Sequence, residues 1–241
     1  MKKLLLLSIL LITFSNCAKV NTSGGIVIWG SEETTTIDLP HKNFNEIIVS
    51  DKFNVTIKQG DDYSVKVKTN VNLKDFLAVE KKYSVLLVKM KPNHFYKDAV
   101  LEAEITVPDL IYLDVNGLSK AEFEDFSPKM DIKIEVSEVS QIEGKLNASN
   151  LHLIAKNGGV VELTGSTSYM KLEGSLSARL NLSNFQTAKA NIYLSVGSEG
   201  EFNLTERFVA ELRADSQMRY KGEATEEKVV KDESSKLVKG G

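Results

Sequence analysis

The residues of this chain that could do chemistry are few, and most are carboxylates. Glu122, Glu143 and Glu162 recur at spacings of 21 and 19, and Glu201 follows 39 positions later. If these positions stack, they form an acidic stripe suited to calcium or a cationic ligand, because calcium prefers carboxylate oxygens. Clustered acids also serve polysaccharide cleavage, but that chemistry needs an assisting base and a cleft, and neither is evident in the sequence. Like charges one rung apart repel, yet exposed side chains splay into water, so a solvated strand face is the simpler reading. His41, His94 and His152 lie far apart with no cysteine beside them. No zinc motif, serine elbow or phosphate loop occurs. We therefore expect no catalytic residue, no metal and no cofactor.

The single cysteine, Cys17, follows an apolar stretch over residues 4–14 that is preceded by Lys2 and Lys3. A stretch of 11 residues is too short to span a bilayer, which needs about 20, but it suits a secretion leader. A lone cysteine in an exported chain cannot form an internal disulfide. Phe14-Ser15-Asn16-Cys17 resembles a bacterial lipobox, with Phe14 and Asn16 larger than the usual residues. That resemblance implies acylation of Cys17 and a stable membrane anchor. The expected organisation is a leader at 1–16, a lipidated cysteine and tether at 17–30, a head domain at 31–224 and a charged, flexible tail at 225–241.

Without the two leader lysines, 28 basic residues stand against 33 acidic ones, a formal charge of −5. There is no basic block, so nucleic acid is not an expected partner.

The elements that must position these residues repeat. Strand-like segments end at Val115, Val136, Ala155, Gly174, Leu194 and Leu212, which lie 21, 19, 19, 20 and 18 positions apart. Within each, positions one, three and five are mostly apolar, as in Ile132, Ile134 and Val136. Such alternation buries one face of a strand. Six residues after each fifth position a second pair appears, such as Ala121 and Phe123 or Leu180 and Leu182. Polar corners separate the two, including Asn157-Gly158-Gly159, where glycine and asparagine accept positive φ. Repeats of about 20 residues mark a solenoid, whose units bury apolar faces by stacking. A meander β-sandwich is the competing fold; it has turns every 8–12 residues but no column identity. Glu122, Glu143, Glu162 and Glu201 fall on one outward column, and His152 on another.

The first half reads as strands over residues 46–50, 53–59, 63–68, 84–90 and 101–107. Residues 59–62 read as a hairpin turn, as does the stretch at residues 81–83. Residues 72–79 fit either a strand or a helical turn. Trp29 is expected to pack onto the first coil as part of a cap.

With these residues in view, the chain resembles the head GIN domain family of bacterial autotransporter adhesins. The resemblance rests on residues 43–50, 53–60, 62–65, 105–110, the repeats and Arg219-Tyr220-Lys221-Gly222. It covers about residues 38–224. It implies an all-β, right-handed parallel β-helix on an exported or lipid-anchored protein with no established activity. At the corners the family favours Gly-Ser-Gly, which this chain lacks, so looser coils are expected around Ser137 and Asp215. The resulting expectation is an envelope protein held by its lipid, in the outer membrane, that binds polysaccharide or another envelope or host surface protein. The alternative is a polysaccharide-acting β-helix lyase or hydrolase.

Overall fold

The computed structural model describes residues 26–240. The expected leader and Cys17 lie outside the described residues. Five strands open the fold: β1 (Ile26–Trp29), β2 (Thr34–Leu39), β3 (Glu46–Val49), β4 (Asn54–Gln59) and β5 (Ser64–Asn70). A 3-10 helix over Val71–Phe76 leads to β6 (Leu77–Lys82), β7 (Val85–Met90), β8 (His94–Lys97) and β9 (Leu101–Val107). The repeats supply β10 (Tyr112–Val115), β11 (Lys120–Phe126) and β12 (Ile132–Val136). Long, bent strands follow: β13 (Gln141–Ala155), β14 (Val160–Gly174), β15 (Arg179–Leu194) and β16 (Glu199–Leu212). The chain closes with β17 (Gln217–Lys221), β18 (Thr225–Lys231) and β19 (Lys236–Lys239).

These strands wind into a β-solenoid of about 7 turns. Parallel registers align the first wall residue for residue. Leu86, Ile47, Leu113, Ile134, Leu153, Leu172, Ile192, Ala210 and Val229 form one file. The second wall aligns Ala103, Val55, Ala121, Ile142, Val161, Leu180, Gly200, Met218 and Leu237. Phe126, Leu146, Phe185 and Leu204 fill the remaining side and are fully buried. Each buried Leu or Ile contributes about 1.5–3 kcal/mol by leaving water. The files thus hold the coils together from inside.

All the tight corners between the walls except the last, at residues 232–235, share one conformation, with two successive residues at positive φ. The pairs include Gly117 and Leu118, Glu138 and Val139, Leu176 and Ser177, and Ala214 and Asp215. Outside glycine and asparagine this conformation costs about 1–2 kcal/mol per residue. Here each second residue donates its N–H to the next corner. Leu118 N reaches Glu138 O at 3.1 Å, Val139 N reaches Asn157 O at 3.0 Å, and Gly197 N reaches Ala214 O at 2.8 Å. The coils at Ser137 and Asp215 are therefore as regular as the rest, contrary to the expectation from their missing glycines. Behind the corners runs a buried file of small residues, Ser119, Ser140, Ala178, Ser198, Ser216 and Ser235.

In several coils the other bend is set by glycine. Gly165 has φ 106°, and a Cβ there would meet Leu146 O at 2.2 Å. Gly144 has φ 115°, and its Cβ would meet Phe123 O at 2.1 Å. Gly144 is thus a bend residue and supplies no inward side chain beside Ile142.

Four features correct the sequence reading. First, residues 59–62 do not make a β4–β5 hairpin, because β9 lies between these strands, parallel to β4 and antiparallel to β5. The layer β7/β9 is outermost although β3/β4 precedes it in the chain. Second, the expected tail carries β18 and β19, which pair in parallel with β16 and β17. Val229 and Leu237 pack against the core there. Third, the expected tether holds β1, parallel to β8. Fourth, Trp29 does not pack as a cap; it is 57% exposed on that ribbon. The end is closed instead by antiparallel strands, β6 on one wall and β5 with β2 on the other. Residues 72–79, left open above, divide between the 3-10 helix and β6.

Candidate functional surfaces

Buried apolar side chains line the interior along its length, so the charged groups stand on the outward faces. On the second wall the registers place Glu104, Thr56, Glu122, Glu143, Glu162, Asn181, Glu201 and Arg219 in one file. Adjacent strands stand about 4.8 Å apart, so the acids form a ladder and not a knot.

All of its acids except Glu122 have a polar partner among the described residues. Lys120 Nζ lies 2.6 Å from Glu143 Oε1, and Gln141 donates to Glu143 Oε2 at 2.9 Å. Asn181 donates to Glu162 Oε1 at 3.3 Å, and Arg219 Nε stands 3.8 Å from Glu201. Beyond Glu122 the file enters a shallow groove lined by Lys66, Lys68, Glu102 and Glu104. Lys68 pairs with Glu102 at 3.1 Å, and Lys58 bridges Glu104 and Glu124 at 3.1 and 3.0 Å. Each exposed pair stabilises by at most about 1 kcal/mol. Together they make a chequered face of alternating charge. Among the described residues no three His, Cys, Asp or Glu side chains converge to hold a metal ion.

The first wall carries a second ladder whose electrostatics the sequence did not reveal. Tyr112 donates to Glu135 Oε1 at 3.2 Å, while Lys133 and Lys156 reach the same carboxylate at 2.7 and 3.7 Å. Burial raises the Glu135 pKa, but Lys133, Tyr112 and Lys156 together outweigh it and hold the group below the usual range. Burial, then the charges of Asp114 and Glu135, push the Tyr112 phenol well above its ordinary value, so it stays protonated and donates. Asp114 is half-buried without a cation in contact. Burial raises its pKa, Asn116 opposes this through a 3.2 Å hydrogen bond, and Glu135 adds to the rise. Two rungs beyond Glu135, Lys171 holds Glu173 at 2.8 Å and depresses its pKa, with burial opposing.

The histidines do not converge. His41 Nε2 meets Val79 O at 3.1 Å and His94 Nδ1 meets Pro92 O at 2.9 Å. His152 Nε2 lies 3.6 Å from Glu173. A third surface, on the β1–β8 ribbon, was missed. Val27, Trp29 and Phe95 face outward there, with Lys97 Nζ 4.9 Å from the Trp29 ring centre. The signal was available as two short apolar runs, Ile26-Val27-Ile28-Trp29 and His94-Phe95-Tyr96, but nothing local told that they pair.

A family model described as "Putative auto-transporter adhesin, head GIN domain" matches residues 43–224, most of the solenoid. The chain belongs to that family. Three solved structures share the fold. One, titled a putative adhesin, from Bacteroides fragilis, has a TM-score of 0.82 at 19% identity, covering 88% of this chain and 100% of that one. Another, titled a putative lipid binding protein, from Parabacteroides distasonis, has a TM-score of 0.70 at 16% identity, covering 89% of this chain and all of its own. A putative adhesin from Parabacteroides merdae has a TM-score of 0.67 at 12% identity, covering 90% of this chain and 100% of that one. No curated protein matches the chain significantly.

Proposed function

We propose that this protein is an exported, lipid-anchored rod that binds at the cell envelope and does no catalysis. One observation carries the reading: apolar files occupy the interior, and the outward side chains stand in files of constant spacing. A flat periodic face matches repeating partners, such as a polysaccharide or another envelope or host surface protein. Without an enclosing pocket each contact is weak, and avidity comes from many rungs engaging together. Cys17 supplies the anchor, and the outer membrane is its proposed home. Family membership and the adhesin titles of the structural neighbours support the binding role. Replacing Cys17 with Ala in the exporting cell tests the anchor. Loss of acyl label and release of the chain from membranes are expected; a label that persists on the variant contradicts the anchor.

A further inference from the structure

In most coils a four-residue corner joins the two walls. In the outermost layer the connection from β7 to β9 is ten residues long and carries β8, which among the described residues pairs only with β1. One face of this parallel ribbon, with Ile28 and Tyr96, packs on the core. The other presents Val27, Phe95 and Trp29, with Phe95 58% exposed. The concavity beneath is flanked by Lys52, Lys89, Lys91 and Lys97. None of these four makes an ion pair among the described residues. The acids in the same lining are Asp51 and Asp98, and Asp51 already accepts the Met90 N–H at 2.9 Å. The patch is therefore net positive on a chain whose overall balance is negative.

We infer that this patch is a second membrane contact, a docking surface for an anionic phospholipid bilayer. Aromatic rings settle at the headgroup level while lysine stems lie along apolar surface and their ammonium groups reach outward to phosphate. The position supports the assignment, which rests on the lipid-anchor reading above. Ile26 lies nine positions after Cys17, a reach of at most about 30 Å. An anchored chain thus holds the patch at high local concentration over the bilayer, so even weak affinity suffices. Docked this way, the β7/β9 end sits at the membrane. From β6 to β18 the first wall has nine strand intervals, so the last coils stand about 43 Å away, free to meet a partner.

Trp29 is the only tryptophan and reports directly. The chain from residue 18 keeps every core residue named above and lacks both the apolar leader and the acylated cysteine, whose own lipid affinity would mask the patch. Mixed with phosphatidylglycerol-containing vesicles, its emission should shift to the blue and be quenched by brominated acyl chains. Partition into phosphatidylcholine vesicles should be much weaker. Lys91→Glu with Lys97→Glu, at unchanged Tm, should lower binding to anionic vesicles at least about tenfold. Emission unmoved by any vesicle overturns the inference, as does equal binding by the variant. A shift caused by soluble polysaccharide alone overturns it and assigns the platform to a glycan. Acyl labelling of the exported chain is read separately. Label on Cys17 with no vesicle response sinks the patch and spares the anchor; vesicle binding without label sinks the anchor and spares the patch.

Discussion

At the residue scale, the informative positions are those where a side chain or φ angle carries a cost. Val139 is β-branched at φ 59°, a conformation such residues rarely adopt. Val139→Gly removes that strain, partly offset by the greater freedom of glycine when unfolded. We expect a gain of up to about 1 kcal/mol in chemical denaturation. Asp114 carries the opposite lesson. Its pKa is raised in the fold, so its charge opposes folding at neutral pH and the opposition fades as pH falls through that raised value. Asp114→Asn should therefore raise Tm at pH 7, with the gain vanishing below the ordinary carboxylate range. Asp232 behaves conversely. Its carboxylate accepts Ala214 N at 2.6 Å and Ser235 N at 2.9 Å, closing the last corner. The Ala214 N–H bond, then those of Ser235 and Ser234, lower its pKa to about 2, with burial opposing. Its contribution is present above the unfolded value of 3.8 and is lost as pH falls towards 2. Asp232→Ala should abolish that part of the acid dependence, read as Tm against pH.

At the element scale, stability comes from files and bends. Leu153 is fully buried between Ile134 and Leu172. Leu153→Ala should cost about 2–5 kcal/mol, measured by urea unfolding. Much of this was legible in the sequence: a spacing of 18–21 with alternation inside each strand puts Leu113, Ile134 and Leu153 in one file. The same spacing reaches further than it was followed. Val229 lies 19 residues after Ala210, and Leu237 lies 19 after Met218. They were hidden because each is a short apolar pair among lysines and glutamates. The outermost layer was not legible for a different reason. Periodicity tells which faces are apolar, not which strand lies next to which, so β9 between β4 and β5 could not be foreseen. Corners such as Leu176-Ser177 were legible as corners but not in their conformation, which is held by bonds to the next coil. The Glu122 file was legible as a file; its pairing with Lys120 and Asn181 depends on side-chain reach across rungs.

At the scale of the whole molecule, the two ends manage exposed strand edges differently. One is closed by antiparallel strands and the other by the lysine- and glutamate-rich β18 and β19, which discourage edge-to-edge pairing. Ending the chain after Ala224 would bare the edges of β16 and β17. A lower Tm and concentration-dependent association in size-exclusion chromatography are expected. The central claim is that a solid rod works through its outward files. It is tested most directly by binding of the intact chain to an array of glycans and envelope fractions, with substrate breakdown followed in parallel. The account expects a retained ligand, no depolymerisation, and binding at least about tenfold weaker when Glu122, Glu143, Glu162 and Glu201 all become Gln at unchanged Tm. Cleavage of an array component, or binding indifferent to these four changes, would contradict it.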